Sequence, residues 1–518
     1  MSIPSVLLSG VKNESQDLQI TTDVLEPNVL NQNQVVFVIP KKGSVLDSKS
    51  ALKVKVNWSQ FVNATTSDVG GKLFSGILGM IKNARLYASG QLISRLDHAG
   101  EKIHLDNQFK SQEYKEQYCD VKHLSNSGFM IANDTAQSGQ NGAIKNDDMM
   151  NSRGVADPLT VDVEDYYRGV GRGLNALRVN GGQEGAIGGD NGVEMFILLE
   201  EIFPMLKDIQ LPVRFLKDEI RLEIDWEQDK TKWLYTSGTA LVAQSGLNDA
   251  GVISINSCVL FLDYITYNPE IDASLEATLN GAGVSIPFRQ TAIITKVLPG
   301  NLAAGTVRED VLIGQEGRAI MKVFVAKKYP KVLAGKKQNL NQGFNLQGEC
   351  RSENLLGQKY NFVVNDLLIY DRDVENAKES YNYFCYTGEK QASCYPDAWE
   401  HNDNYDGVSA TNDILYSVNA TNNGDQPILT QIAPGALTGL VKDGIRGQQN
   451  WDSVDLSKYG SQLNPQNAMR IGSTPIIYRL SRTTANDVRT GGPVSLTIFV
   501  EYLRLFDLRA GELAVRDL

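Results

Sequence analysis

Hydrophobic and polar residues alternate with a period of two in several short stretches of the chain, and this pattern predicts β-strands. Clear examples are Val35–Ile39, Ala51–Trp58, Glu219–Trp226 and Ile320–Val325. Glycine, proline, asparagine and serine separate such stretches, as is typical of turns between strands. The chain is therefore predicted to be an all-β protein.

Two long runs of β-branched and aromatic residues are similar to each other, and each closes one half of the chain. They are Val252–Tyr267 and Val494–Leu508. Because a sheet cannot bury one face alone, a chain that ends its two halves in the same way is expected to contain one β-domain twice. We predict Val252–Tyr267 as the last strand of the first domain and Asn268-Pro269 as the hinge into the second.

The order of elements within the two halves supports this duplication. A hairpin over Ala84–Leu96 precedes a helix with Asp97 as its predicted cap, and a hairpin over Phe362–Tyr370 precedes a helix predicted over Asp373–Phe384. About eight short strands in each half, with one helix and long loops, predict two tandem eight-stranded jelly-roll sandwiches. Other sandwiches fit the number of strands nearly as well.

The domain boundaries follow from these patterns. Residues 1–32 are polar and weakly patterned, and we interpret them as an N-terminal arm that orders only against something else. The first jelly roll is predicted over residues 33–268 and the second over 269–518. Long insertions at 121–190 and 387–426 far exceed the ordinary connection of about 4–6 residues. The first is expected to leave from one end of its sandwich.

Composition narrows the class of protein. A hydrophobic share of 42% and a charged share of 21% are ordinary for a soluble globular protein. The net charge of −11 disfavours a surface that neutralises phosphates, so no direct sequence-specific nucleic-acid binding is predicted. Neither a signal peptide nor a run of about 18 apolar residues is apparent, and five scattered cysteines are expected to be free thiols.

Few residues indicate catalysis. The four histidines, His98, His104, His123 and His401, form no metal-binding motif and are interpreted as surface or helix-cap residues. The segment Gly169–Gly173 lacks the full phosphate-binding pattern and is interpreted as a flexible loop. No catalytic residue, no cofactor-binding residue and no cofactor is predicted.

One weak candidate for a metal site lies in the second insertion. Asn402, Asn404, Asp406 and Asp413 occupy positions 1, 3, 5 and 12 of a calcium-binding loop, and Gly407 occupies position 6. Because no helices are predicted on either side, an Asx-rich turn is the favoured interpretation. No metal is therefore predicted.

Three segments point to a known family. They are Ile202–Trp226, Leu260–Glu270 and Phe499–Leu505. These segments resemble the double jelly-roll major capsid proteins of polinton-like viruses and virophages. The resemblance extends from about Gln34 to Leu508, and in the insertions only the order of elements is similar. The shared motifs are structural and indicate no chemistry.

The resemblance implies two upright jelly rolls per chain, a pseudo-hexameric homotrimer and an icosahedral shell. It also implies contacts with neighbouring capsomers and with penton and minor capsid proteins, and a place in the virion after synthesis in the host cytoplasm or nucleus. Long loops would face the solvent, while the arm and the last residues would lie at the base. An inner lipid layer beneath the shell is a possible further partner.

A tandem β-sandwich protein that binds carbohydrate is the alternative. Aromatic residues in or near the insertions could stack on sugars; they are Tyr166-Tyr167, Tyr381, Tyr383, Tyr395 and Trp399. Such residues more often pin loops or fill subunit interfaces. The structural shell protein is therefore the favoured interpretation.

Overall fold

The computed structural model describes the strands and helices of both halves. The described residues are 18–58, 70–73, 76–110, 114, 118, 122–123, 193–228, 234–237, 253–299, 305–328, 359–375, 377–388, 414–418, 427–431, 451–459, 468–483 and 494–518. Their strands pair into antiparallel sheets, and the larger sheets divide into two pairs, one in each half of the chain. The chain is therefore mainly β, as predicted.

The first half is a jelly roll. Its strands are β1 (Leu18–Leu25), β2 (Val29–Leu30), β3 (Gln34–Ile39), β4 (Val45–Leu46), β5 (Ala51–Trp58), β6 (Gly70–Leu73), β7 (Ile81–Ala88), β8 (Gln91–Asp97), β9 (Val193–Leu198), β10 (Ile220–Trp226), β11 (Leu234–Ser237) and β12 (Ile253–Tyr267). One sheet has the order β1-β12-β5-β9, with β4 also beside β12. The other has the order β2-β3-β10-β7-β8, and β6 pairs with β11 separately. The two larger sheets contain five strands each and face each other as in a jelly roll.

The second half repeats this arrangement. Its strands are β13 (Val284–Leu298), β14 (Thr306–Gly314), β15 (Ala319–Lys328), β16 (Lys359–Val364), β17 (Leu367–Leu368), β18 (Ile414–Val418), β19 (Pro427–Gln431), β20 (Asp452–Asp455), β21 (Met469–Arg470), β22 (Ile476–Thr483), β23 (Val494–Arg509) and β24 (Glu512–Asp517). Its sheets have the orders β13-β23-β15-β20 and β14-β22-β16-β17. The closing strand is central in both halves, since β12 lies between β1 and β5, and β23 lies between β13 and β15. The two predicted closing runs are therefore β12 and β23.

Alternation along the strands builds a core inside each sandwich. In the first jelly roll, Phe37 on β3 and Leu222 on β10 belong to one sheet, and Val54 on β5 belongs to the facing sheet. All three side chains are fully buried. In the second jelly roll, Val325 on β15 and Phe362 on β16 occupy the corresponding places. Burial of these inward side chains is the main source of stability in each half.

Short helices connect the strands. They are α1 (Gly76–Met80), α2 (Ala99–Gln108), α3 (Leu199–Ile202), α4 (Met205–Asp208), α5 (Pro269–Asn280) and α6 (Ala377–Thr387). As predicted, α2 and α6 each follow the strand pair in their half. The predicted cap of α2 is wrong, because His98 precedes the helix in a left-handed conformation. Asp97 instead ends β8 and accepts a hydrogen bond from Arg95.

The structure differs from the sequence-based prediction at the N-terminal arm. Leu18–Leu25 forms β1 and pairs along its whole length with β12, and Val29–Leu30 pairs with β3. Residues 18–30 therefore contribute strands to the first jelly roll. An outer strand leaves many of its side chains in solvent, so its polar composition resembles that of an arm.

The two jelly rolls stand side by side in the same orientation. Asn268 caps α5 by accepting the backbone N–H of Ile271, so the predicted hinge is the start of a helix that joins β12 to β13. At this end, which we call the base, the backbone N–H of Lys217 donates to the carbonyl of Gly511. At the opposite end α2 and α6 meet through Phe109 and Phe384, with ring centroids 4.8 Å apart. The connections that contain both predicted insertions leave from this upper end.

Candidate functional site

Most of the residues singled out from the sequence lie outside the described residues. These include the weak metal candidates Asn402, Asn404, Asp406 and Asp413, together with His401 and Gly169–Gly173. Within the described ranges, no three or more His, Cys, Asp or Glu side chains are grouped so that they could hold a metal ion. No described helix has the length and apolar character needed to span a membrane.

A buried ion-pair network connects the two jelly rolls. Lys102 of α2 lies 2.5 Å from Asp106 on the same helix and 2.9 Å from Glu501 of β23. Burial lowers the pKa of Lys102, but the two carboxylates outweigh this effect and raise the pKa above its usual 10.5. Burial raises the pKa of Glu501, but Lys102 and Lys322 outweigh it and lower the pKa to about 2. Lys102 and Glu501 therefore both stay charged at neutral pH.

An apolar cluster surrounds the same contact. Leu105 of α2 packs with Phe324 of β15, Phe499 of β23 and the buried Trp451. The packing is close, because a Cβ atom at Gly388 would lie only 2.0 Å from the ring of Phe109. We call this cluster and the Lys102 network the joint. The apolar contacts of the joint hold the two jelly rolls against each other.

Further polar contacts extend the connection toward the base. Arg289 of β13 donates to both carboxylate oxygens of Asp208, at 3.1 and 2.8 Å. Arg214 forms an ion pair with Asp272 of α5 at 2.6 Å, and the hydroxyl of Ser44 donates to the same carboxylate. A two-point contact between Arg and a carboxylate specifies direction as well as affinity. These bonds therefore set the relative rotation of the two sandwiches.

A buried carboxylate holds the residues that follow α2. Glu201 of α3 accepts hydrogen bonds from the hydroxyls of Tyr114 and Tyr118, and lies 3.0 Å from Nε2 of His123. Burial raises the pKa of Glu201, but His123 and the donors outweigh this effect and lower the pKa. The interpretation of His123 as a surface residue is wrong, since its side chain is fully buried. His98, at the start of α2, agrees with the helix-cap interpretation.

A second buried polar cluster lies between the sheets of the second jelly roll. Lys327 of β15 contacts Asp452 of β20. The hydroxyls of Tyr478 and Ser380 donate to the two oxygens of the same carboxylate. Sequence reasoning missed this cluster because its members come from four separate elements with no characteristic spacing.

One outer face of the first jelly roll carries partly exposed apolar side chains beside the polar Thr22, Asp263 and Lys53. Ile20 and Val24 on the outer strand β1 are 62% and 56% exposed. Val24 lies beside Phe261 of β12, and Phe196 of β9 contacts Phe261 on the same side, with ring centroids 6.2 Å apart. We call these four apolar residues the outer face. Exposed apolar residues on an outer strand are typical of a surface that contacts another chain.

The base of the first jelly roll contains an open cavity of about 960 Å³. Its lining includes Lys41, Lys217 and Arg221 together with Asp218 and Glu219. The charges are of both signs, so the cavity offers polar contacts without a strong preference for anions or cations.

Two residues of the carbohydrate hypothesis, Tyr381 and Tyr383, lie among the described residues. Tyr383 packs against Tyr370 inside the second jelly roll, with ring centroids 4.3 Å apart. Tyr381 belongs to α6. The remaining residues of the carbohydrate hypothesis, Tyr166-Tyr167, Tyr395 and Trp399, lie outside the described residues.

Comparison with known proteins finds similar structures. No protein-family model and no curated protein sequence matches the chain. A chain from the cryo-EM structure of the Sputnik virophage is similar with a TM-score of 0.55 and 11% identity, covering 98% of this chain and 90% of that one. The Faustovirus major capsid protein is similar with a TM-score of 0.50 and 10% identity, covering 96% and 92%. The chain has the double jelly-roll fold.

The likeness to the Sputnik virophage chain extends over almost the whole of this chain. The mavirus major capsid protein aligns over 98% of this chain and 92% of its own length, with 13% identity and a TM-score of 0.46. At such low identities the likeness shows the fold. The resemblance that the sequence indicated is confirmed at this level, and the strand order of the two jelly rolls provides its physical basis.

Proposed function

We propose that this double jelly-roll chain is a viral major capsid protein that assembles as a pseudo-hexameric homotrimer and tiles an icosahedral shell. One observation carries the proposal. Two sandwiches with the same strand order lie side by side in one chain, with contacts at the base and at the joint. Three such chains around an axis form a ring of six similar sandwiches, which is the shape of a tile for a hexagonal lattice. The fold shared with the Faustovirus major capsid protein supports this role.

The outer sides of the matching sheets are covered differently in the two jelly rolls, and this difference favours a ring of subunits. In the second jelly roll, Phe324 and Phe499 lie on the outer side of the sheet and are buried in the joint. In the first jelly roll, the matching side of the sheet is the partly exposed outer face. A contact in which the second jelly roll of one chain covers the outer face of the next is heterologous, and such contacts form a ring when the rotation between chains closes.

The upper end and the base of the fold face opposite sides of the proposed shell. The insertion end faces the solvent, and the base faces the interior of the virion. Neighbouring capsomers contact the sides of the trimer, while penton and minor capsid proteins are the proposed partners at the edges and the base. The mixed-charge cavity at the base suits polar contacts with such proteins.

Size-exclusion chromatography with light scattering tests the assembly. We expect a mass of three times 57.0 kDa, and particles with a pseudo-hexagonal outline in negative-stain microscopy. A monomer that binds glycans would contradict the proposal and favour the carbohydrate-binding alternative.

A pair of double variants tests the outer face. Ile20→Asp with Val24→Asp places two charges on an apolar interface, so the trimer is expected to dissociate. The control is Gln19→Asp with Thr21→Asp, which adds the same charge to exposed positions on the other side of β1. A trimer that persists in the first variant would show that the outer face is not the subunit contact.

A further inference from the structure

Lys327 and Asp452 lie on neighbouring strands with their side chains directed to the same place. Val325 of β15 faces Asp452 of β20 in the antiparallel ladder. Lys327 lies two residues beyond Val325, so its side chain is on the same side of the sheet and reaches Asp452 diagonally. Nζ of Lys327 contacts Oδ2 of Asp452, and the side chains are 0% and 1% exposed.

Two hydroxyl groups contact the carboxylate of Asp452. The Tyr478 hydroxyl donates to Oδ2 at 2.5 Å, and the Ser380 hydroxyl donates to Oδ1 at 3.3 Å. Each carboxylate oxygen therefore has its own donor. The ring of Tyr360 lies 5.8 Å from Nζ of Lys327 and closes one side of the site.

The surroundings of Lys327 favour its uncharged amine. Two charges inside a sandwich lose their hydration, and their mutual attraction often fails to offset that loss. Burial lowers the pKa of Lys327 below its usual 10.5, although Asp452 opposes the shift. A neutral amine in contact with a carboxyl group is a nucleophile beside its electrophile. In this respect the pair differs from the Lys102 network, where the ammonium pKa is raised.

We propose that Lys327 and Asp452 join in an intramolecular isopeptide bond. Nζ of Lys327 attacks Cγ of Asp452, and the bond between Cγ and Oδ2 breaks. One proton of the Lys327 ammonium first moves to Oδ2, which frees the lone pair of Nζ. A second proton moves from Nζ to Oδ2 after the attack, so that Oδ2 leaves as water, and the third proton stays on the new amide. The Tyr478 hydroxyl relays protons to Oδ2. Oδ1 becomes the amide oxygen and keeps its hydrogen bond from Ser380, and no oxidant or reductant takes part.

The bond would close a covalent loop around the second insertion. Lys327 precedes residues 387–426 in the chain, and Asp452 follows them. Backbone cleavage within the insertion would then leave the two parts of the second jelly roll covalently attached. A shell protein with such a bond would keep its sandwich closed after a cut in an exposed loop.

Mass spectrometry of the purified full-length protein under denaturing conditions tests the proposal. We expect an intact mass lower than the sequence mass by about 18 Da, the mass of one water molecule, because amide formation releases one. A proteolytic digest is expected to contain a branched peptide that joins the segments around Lys327 and Asp452. The unchanged sequence mass, or a loss that maps to one linear peptide, would overturn the proposal.

Cleavage and variants provide a second readout. A protease site placed between residues 387 and 426 should yield fragments that stay joined in denaturing, reducing gels, and Lys327→Arg should separate them. Tyr478→Phe should leave a fraction of chains at the full sequence mass. Tyr370→Phe is the matched control, because the Tyr370 hydroxyl donates to the carbonyl of Ser453 and does not touch the carboxylate. Fragments that separate in the wild-type protein would also overturn the proposal.

Discussion

Replacement of Glu501 by Gln removes the charge that Lys102 meets across the joint. Glu501 has a pKa of about 2 in the folded protein, against 4.5 for an ordinary Glu. This difference corresponds to about 3 kcal/mol of stability at neutral pH. Loss of one partner from a buried ion pair usually costs about 3–5 kcal/mol, which agrees. We therefore expect Glu501→Gln to lower the free energy of unfolding by about 3 kcal/mol at pH 7.

The pH dependence of this effect has a definite sign. Because the pKa of Glu501 is lowered on folding, its contribution is present in full above the unfolded value of 4.5 and is lost as the pH falls toward about 2. The difference in unfolding free energy between wild type and Glu501→Gln should shrink to about 1 kcal/mol near pH 3. Lys102 adds no change on the acid side, since its pKa is raised.

Urea unfolding followed by tryptophan fluorescence, at one protein concentration and several pH values, measures both quantities. Glu512→Gln is the matched control, because Glu512 also forms an ion pair between the jelly rolls, with Lys217, but its side chain is 77% exposed. We expect no measurable change in the control. Equal stability of Glu501→Gln and wild type at pH 7, or a difference that stays the same at pH 3, would refute the reasoning.

Other substitutions test the packing of the joint and its neighbours. Gly388→Ala places a methyl group against the ring of Phe109, so its melting temperature should fall by an amount equivalent to about 1–3 kcal/mol. Trp451→Ala removes a fully buried indole and should cost about 3–5 kcal/mol in urea unfolding. Arg289→Ala leaves the mostly buried Asp208 without its bidentate partner, and should make unfolding occur at lower urea than Arg289→Lys.

The closing strands could be predicted from sequence because they are central in their sheets. β12 and β23 are 15 and 16 residues long, and each lies between two other strands. Such strands need long β-branched and aromatic runs, which are visible without a structure. The outer strand β1 has no such need, since Ile20 and Val24 remain exposed. Its polar neighbours therefore concealed it within the predicted arm.

The buried polar groups could not be predicted for a different reason. Lys102 and Glu501 belong to different halves, and Lys327 and Asp452 belong to strands separated by the second insertion. Their contacts depend on which strands pair and on how the two sandwiches are rotated. Charged residues are ordinarily expected in solvent, so composition gives no sign that these are buried.

The two jelly rolls have the same strand order, but the matching outer sides of their sheets are covered differently. In the second, the outer side of β15 and β23 carries Phe324 and Phe499, and α2 of the first jelly roll covers it. In the first, the equivalent strands β5 and β12 carry the half-buried Lys53 and Phe261 on that side. A chain of two such units has one covered face and one open face. In the proposed homotrimer, the open face is covered by the next chain, so each subunit repeats between chains a contact that it already makes within itself.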